Sequence, residues 1–244
     1  MTDEKMTDEK MTKVLKRLFG PFPFFWFGMR YAAKVSSGFT REVALDLAIC
    51  YVKASRIEGD YLEFGVAEGQ TFAAACYLSQ KRGLSINCWA FDSFEGLPEN
   101  KEADASGHQM FQAGERRCSE HEFLRNVRRT GADMKRVITV PGWFEGSLRP
   151  DNPRLVNLRK AAVIWVDCDL YSSTVCVLNF LTKYLQYGSL VIFDDWFCYR
   201  ADPNAGEQRA FREWLDLNPH FSAVELSRFS WHANSFIIHH AGRT

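Results

Sequence analysis

The sequence predicts an α/β fold in which a mostly parallel central sheet has helices on both faces and an antiparallel strand at one edge. Short apolar runs alternate with stretches of helical periodicity, and two further apolar runs stand close together near the end of the chain. Repeated strand–helix–strand order favours right-handed crossovers between parallel strands. The predicted architecture is therefore Rossmann-like.

The elements follow from the spacing of apolar residues. The predicted parallel strands are Tyr61–Val66, Asn87–Phe91, Val137–Val140, Ala161–Val166 and Ser189–Phe193. Runs this continuously apolar are typical of strands covered on both faces. The predicted helices are Arg41–Ala54, Gln70–Lys81, Ser119–Arg129, Ser173–Tyr187 and one near Gly206–Leu217. The runs Ser222–Leu226 and Ser235–His239 predict the antiparallel pair.

Composition excludes several classes of function. The 244 residues suit one large domain, and 30 basic against 30 acidic residues leave no net charge to attract nucleic acid. The seven cysteines are odd in number and lack C-x-x-C spacing, which favours neither a disulfide framework nor a zinc site. We therefore expect a cytoplasmic protein that does not bind nucleic acid.

The first forty residues differ in character from the rest. Residues 1–12 form a charged tandem duplication, which predicts a disordered tail. Residues 13–40 contain an aromatic run, Pro21–Met29, whose length is about half of the ~20 residues that a membrane-spanning helix needs. We expect no transmembrane segment, and we expect this run to pack against its own domain or a sister subunit in a homodimer or larger homo-oligomer. Residues 41–244 form the predicted domain.

Ligands of open parallel sheets bind beyond the carboxyl ends of the strands, so the residues after each strand are the candidate site. Gly65 and Gly69 follow the first strand and permit a tight turn, although such a glycine pair is about as often a packing feature. The G-x-G-x-x-G and P-loop patterns are missing, which disfavours dinucleotides and nucleoside triphosphates. Asp92 ends the second strand, where it can bind ribose hydroxyls or cap a helix. The long polar segment Glu95–Gly114 is a candidate lid or a disordered loop.

Four carboxylates follow the fourth and fifth strands: Asp167, Asp169, Asp194 and Asp195. Carboxylates packed closely repel one another, and a hard divalent cation such as Mg²⁺ is the usual way to neutralise them. Without a ligand, the same residues can be helix caps and solvated turn residues.

Several motifs in this order resemble the macrocin-type sugar O-methyltransferases, a branch of the class I S-adenosylmethionine-dependent enzymes. The motifs are Tyr61–Val66 with Gly69, Phe91–Pro98, Gly142–Phe144, Asp167–Tyr171 with Ser173 and Thr174, and Phe193–Trp196. The resemblance runs from about Phe39 to His239 and implies the class I methyltransferase fold and a Mg²⁺ site at the ends of the fourth and fifth strands. The cofactor-binding residues expected on this basis are Glu63, Phe64, Gly65, Gly69, Thr71, Asp92, Ser93, Gly142 and Trp143.

Within the acidic group, we expect Asp167, Asp194 and Asp195 to bind the metal, because Asp167 directly follows the strand whereas Asp169 lies two residues into the turn. Asp169 is the second candidate, for the metal or for a substrate hydroxyl. Asp167 is also the expected base, and His232 is either a proton acceptor or a structural histidine. The other expected substrate contacts are Tyr171 and Trp196, although such aromatics can equally fill the core.

The predicted function is a divalent-metal-dependent O-methyltransferase that transfers the methyl group of S-adenosylmethionine to a hydroxyl of a sugar or other diol-bearing small molecule, in natural-product or glycan biosynthesis. Two alternatives remain open. One is a metal-independent small-molecule methyltransferase, and the other is a catalytically silent methyltransferase-like binding module. A nicotinamide-dependent dehydrogenase on a similar fold is disfavoured by the missing glycine fingerprint.

Overall fold

A computed structural model of the protein describes residues 40–104 and 111–240. The predicted tail at 1–12 and the aromatic run within 13–40 lie outside these residues and stay predictions, as does oligomerisation. The chain divides into two units, Met1–Thr40 and Arg41–Thr244, and every element below belongs to the second. Among the residues that the structure describes, no helix is long and apolar enough to cross a bilayer.

The second unit alternates strands and helices as the apolar spacing predicts. The strands are β1 Asp60–Phe64, β2 Cys88–Asp92, β3 Val137–Pro141, β4 Ala161–Val166, β5 Leu190–Phe193, β6 Phe221–Phe229 and β7 Ala233–His240. The α-helices are α1 Arg41–Ala54, α2 Gln70–Lys81, α3 Glu120–Arg129, α4 Phe144–Ser147, α5 Tyr171–Leu181 and α6 Gly206–Leu217. Short 3₁₀ turns lie at Glu102–Asp104, Met134–Arg136, Pro153–Leu155 and Tyr199–Ala201.

The strands form one seven-stranded sheet in the order β3-β2-β1-β4-β5-β7-β6. Strands β1 to β5 are parallel, and β7 runs antiparallel to both β5 and β6. Strand β4 is buried along its whole length, and a hydrophobic core lies on each face of the sheet. The topology confirms the predicted Rossmann-like fold with an antiparallel edge.

Most boundaries differ from the prediction by one or two residues, and three of the differences have local reasons. Strand β1 ends at Phe64 because Gly65 turns the chain with φ +83°. Helix α5 ends at Leu181, and the chain beyond it meets the first residue of β4, where Ala161 N donates to the Tyr184 carbonyl at 3.0 Å. Strand β6 is longer than predicted because its middle is exposed and polar, so pairing with β7 rather than burial defines it.

Strand order places the candidate site. The chain moves outward from β1 through β2 to β3, then returns to β4 on the other side of β1. A crevice forms at such a reversal, outside the carboxyl ends of the strands. The residues that follow β1, β2, β4 and β5 therefore share one edge of the sheet.

Candidate active site

The turn after β1 is closed by a glycine that admits no side chain. Gly65 N donates to the Phe91 carbonyl at 2.9 Å, and Asp167 N donates to the Phe64 carbonyl at 2.9 Å. A Cβ at Gly65 would lie 1.9 Å from the Asp167 carbonyl oxygen. The tips of β1 and β4 therefore touch backbone to backbone, and only glycine fits between them.

Asp92, at the end of β2, is held by backbone amides. Its Oδ2 accepts from Val66 N at 2.7 Å and from Ala67 N at 3.3 Å, and its Oδ1 accepts from Phe94 N at 2.7 Å. Burial raises the pKa of this carboxyl, while the amide hydrogen bonds oppose the rise. The carboxylate therefore has a fixed position beside the β1 turn.

The four predicted acids converge beyond β4 and β5. Oxygens of Asp167, Asp169 and Asp195 lie within 4.8 Å of one another, and Asp194, Asp195 and His232 form a second such group. Asp194 is 1% exposed, whereas the Asp167 side chain is 24% exposed toward the cavity. We call Asp167, Asp169, Asp194 and Asp195 the acidic cluster.

Crowding changes the ionisation of the acidic cluster. Burial, and then the neighbouring carboxylates of Asp194 and Asp195, hold the pKa of Asp167 well above its usual range. Burial and the Asp167 charge raise the pKa of Asp169 to about 8. Burial, and then the Asp169 and Asp194 charges, likewise hold the pKa of Asp195 well above its usual range. The site therefore stabilises added positive charge, whether protons or a cation.

Two residues that sequence reasoning missed hold the acidic cluster in place. Arg41 donates from Nε to Asp194 Oδ1 at 2.8 Å and from Nη2 to Oδ2. Glu207, 1% exposed on α6, accepts from Asp195 N at 2.9 Å. Both lie on helices far along the chain from the acids that they contact and belong to no motif, so the sequence pattern did not single them out. Two buried oxygens, Asp195 Oδ2 and Glu207 Oε1, have no hydrogen-bond partner.

A cavity of about 920 Å³, a volume that includes its open mouth, extends from Asp92 and the β1 turn to the acidic cluster. The predicted site residues that line it are Gly65, Asp92, Ser93, Gly142, Trp143, Asp167, Asp169, Asp194 and Asp195. Those predicted for the site that do not line it are Glu63, Phe64, Gly69, Thr71, Tyr171, Trp196 and His232.

The residues outside the cavity have other partners. Glu63 is buried beneath the β1 turn and accepts from the Tyr61 hydroxyl, while Phe64 stacks on Phe91 with centroids 4.5 Å apart. A Cβ at Gly69 would lie 2.8 Å from the Phe123 ring, so this glycine packs against α3. Thr71 is buried in the first turn of α2.

The remaining three lie around the acidic end. Tyr171 donates to Glu213 Oε2 at 2.5 Å, on the outside of α5. Trp196 packs against Phe236, with centroids 4.6 Å apart, which is the core-filling alternative for this aromatic. His232 donates from Nδ1 to the Asp194 carbonyl, behind the acidic cluster.

The long polar segment contributes a wall of the cavity. Its residues Gly96, Leu97, Pro98 and Phe111 line the cavity, together with Arg116 just beyond it. The segment is anchored at Asp104, whose carboxylate accepts from Ser172 N at 2.7 Å and from Ser172 Oγ at 2.9 Å. Residues 105–110 are not among those described, so the predicted lid role stays a prediction.

Comparison with known proteins identifies the family. The family described as Macrocin-O-methyltransferase (TylF) matches residues 31–232. The chain belongs to this family. The match confirms the resemblance found in the sequence and the assignment to the O-methyltransferase class of enzymes.

Curated relatives agree with the family match. The demethyldecarbamoylnovobiocin O-methyltransferase of Streptomyces niveus is 32% identical over 74% of this chain and 68% of its own length. A tetracenomycin-type rhamnosyl 4'-O-methyltransferase of Streptomyces olivaceus is 32% identical over 65% of this chain. The mycinamicin III 3''-O-methyltransferase of Micromonospora griseorubida is 30% identical over 62% of this chain. The aligned part spans 61% of each of the last two relatives.

Solved structures share the fold of this TylF-family chain. The O-methyltransferase NovP superposes with a TM-score of 0.68 at 22% identity, over 81% of this chain and 78% of its own. The calicheamicin methyltransferase CalS11 gives a TM-score of 0.66 at 20% identity, over 97% and 94% of the two chains. Both comparisons support the class I methyltransferase architecture.

Proposed function

We propose that this TylF-family protein transfers the methyl group of S-adenosylmethionine to a hydroxyl of a sugar or other diol-bearing small molecule, in a reaction that requires a divalent cation. The observation that carries the proposal is the single cavity with Asp92 and the glycine turn at one end and the acidic cluster at the other. The name of one relative, a rhamnosyl 4'-O-methyltransferase, supports the acceptor class.

The cofactor end has the features that a nucleoside sulfonium needs. Gly65 lets the ligand approach the backbone, and Asp92 offers carboxylate oxygens beside it, suited to ribose hydroxyls. Gly142 and the 39%-exposed Trp143 border the same end, where an adenine ring can stack. S-adenosylmethionine supplies an activated methyl group, so the residues need only bind and align the two substrates.

The acidic end fits a hard divalent cation. The ligand groups that its described residues offer are Asp167, Asp169 and Asp195, or Asp194 and Asp195 with His232, so they consist mainly of carboxylate oxygens and include no cysteine. Asp195 Oδ2 is buried without a partner. Asp167, Asp194 and Asp195 would hold the ion, with Asp169 as the competing ligand. A bound cation would lower the pKa of an acceptor hydroxyl and orient it. Asp167, which is the most exposed to the cavity, is placed to accept the hydroxyl proton.

The decisive experiment separates cofactor binding from turnover. Purified protein should bind S-adenosylmethionine in EDTA by calorimetry, and turnover of a diol acceptor should stop in EDTA and return with excess Mg²⁺. Full activity in EDTA would favour the metal-independent methyltransferase. Absence of any S-adenosylmethionine or S-adenosylhomocysteine binding would instead favour the silent binding module. Cytoplasmic location and homo-oligomerisation stay predictions.

A further inference from the structure

One cation of the chain lies within the acidic cluster. The Arg41 guanidinium makes a two-point contact with both oxygens of Asp194, and its Nη2 is also 3.9 Å from Asp167 Oδ2. Asp194 is almost completely buried, whereas the Arg41 side chain is 44% exposed. Arg41 is the first residue of α1, so its side chain can leave the cluster without disturbing the helix.

The Arg41 contact supplies a counter-charge to the buried Asp194 carboxylate. A buried carboxylate without a counter-charge is strongly destabilising. Among the described residues that line the cavity, Arg41 and Arg116 are the cations, and Arg41 alone of these two makes an ion pair with the cluster. Burial opposes the charge of Arg41, but the Asp194 and Asp167 carboxylates outweigh burial and raise the pKa of the guanidinium.

The same contact obstructs a divalent cation. The guanidinium lies between Asp167 and Asp194, two of the three expected ligands, and it uses both oxygens of Asp194. An ion bound there would have a positive charge a few ångströms from Arg41, and like charges at such distances repel strongly in a partly buried site. The Arg41 guanidinium and a divalent cation therefore cannot bind Asp194 at the same time.

We propose that Arg41 is a built-in counter-ion that a divalent cation must displace from Asp194, so that this residue sets the cation affinity of the site. The proposal rests on the proposed metal dependence. Arg41 stabilises the tandem Asp194–Asp195 when the metal is absent, and its side chain, which is 44% exposed, can move toward solvent when the metal binds. Arg41 is therefore a positioning residue that acts through Asp194.

The chain offers a matched control for this ion pair. Arg82 makes the same two-point contact with Asp46, from Nε to Oδ1 at 2.9 Å and from Nη2 to Oδ2 at 2.5 Å. Its side chain is 42% exposed, close to the value for Arg41. Asp46 lies on α1, away from the acidic cluster, and is 33% exposed. Arg82→Met therefore removes an equivalent pair without touching the cavity.

The test measures binding of Mn²⁺ to the full chain, freed of metal with a chelator, by titration calorimetry. We expect Arg41→Met to bind Mn²⁺ roughly tenfold more tightly than wild type, the factor expected for losing about 1.4 kcal/mol of competing interaction. Arg41→Lys keeps the charge but not the two-point contact, so its Kd should fall between the two. Arg82→Met should leave the Kd unchanged.

Thermal melting gives a second readout. Metal-free Arg41→Met should melt lower than Arg82→Met, because it leaves a buried carboxylate unpaired, and saturating Mn²⁺ should remove that difference. A shift of the melting temperature by S-adenosylmethionine shows that each variant is folded. If Arg41→Met fails this check, Arg41→Gln, which retains polar hydrogens, replaces it.

The outcomes separate the two proposals. A Kd for Mn²⁺ that is equal or weaker in Arg41→Met overturns the role of Arg41 alone, provided that wild-type turnover remains sensitive to chelator. Absence of Mn²⁺ binding to both proteins, with S-adenosylmethionine binding intact, overturns metal dependence and the Arg41 inference together. Tighter binding in Arg41→Met with an unchanged Arg82→Met supports both.

Discussion

At the tip of β2, Asp92 accepts hydrogen bonds from neutral backbone amides, whereas at the tips of β4 and β5 the carboxylates face one another, and Arg41 pairs with Asp194. Amides fix the position of one negative charge and add no net charge to their surroundings. The acidic cluster instead keeps surplus negative charge that positive charge must offset. One end of the cavity is therefore complete in the folded chain, and the other is suited to recruiting a cation.

The largest expected effect is on turnover, from a substitution at Asp194. Asp194→Asn removes a charge from the acidic end and leaves the cofactor end intact, so kcat should fall roughly 10³-fold, as for loss of a group that acts in the transition state. The Kd for S-adenosylmethionine should change less than about twofold. Steady-state kinetics and calorimetry measure the two quantities. Asp46→Asn, in the exposed pair with Arg82, is the control, and retention of most activity by Asp194→Asn would contradict the assignment.

Gly65 connects the two ends of the cavity, because the turn that it forms after β1 contacts the Asp167 backbone at the tip of β4. Gly65→Ala should lower the free energy of unfolding by about 3 kcal/mol or more, since the new Cβ meets backbone and the positive φ is strained. Gly83→Ala is matched in φ, at +72°, but meets no atom within 4 Å, so it should cost only about 1 kcal/mol. Equal urea-unfolding midpoints for the two variants would show that the β1–β4 contact is not as tight as described.

Asp92 tests the cofactor end by itself. Asp92→Asn replaces an acceptor of amide hydrogen bonds by a group that also presents N–H hydrogens, so the Kd for S-adenosylmethionine should rise roughly tenfold, equivalent to about 1.4 kcal/mol. Mn²⁺ affinity should not change. Asp60→Asn is the matched control, because Asp60 accepts from Asn87 N and Trp89 Nε1 at the opposite end of the strands. If Asp60→Asn lost more affinity for S-adenosylmethionine than Asp92→Asn, the assignment of Asp92 to the cofactor site would be contradicted.

A further difference between the two ends is a pH dependence of stability from Glu63, which is buried beneath the β1 turn. Burial raises its pKa to about 8 in the folded chain, above the unfolded value. The folded state then holds a proton that the unfolded state has lost, so stability falls as pH rises from about 4.3 toward 8.

The measurement compares urea unfolding of the ligand-free protein at pH 6 and pH 9. The free energy of unfolding of wild type should fall by roughly 2 kcal/mol more over this interval than that of Glu63→Gln, because the Gln amide does not ionise. Glu68→Gln, an exposed neighbour on the same turn, should behave as wild type. Parallel pH profiles for wild type and Glu63→Gln would show that Glu63 is ionised throughout.

The sequence predicted the fold better than the roles of individual residues. Alternation of apolar runs located every strand of the sheet, and placing acids at strand tips correctly brought Asp92 and the acidic cluster to one cavity. Motif adjacency was a weaker guide to which neighbours line that cavity. Glu63 and Phe64 stand in the same motif as Gly65, yet strand geometry turns their side chains into the two cores beneath it.

What the chain's local pattern determined is the order of strands and helices and the acid or glycine at each strand end, because burial and turn chemistry act over a few residues. Tertiary structure alone decided which charges meet. Arg41 and Asp194 are 153 positions apart, and Glu207 reaches Asp195 from a separate helix. Their pairing depends on how α1 and α6 pack against the sheet, and a buried carboxylate takes whatever donor that packing brings within hydrogen-bond distance.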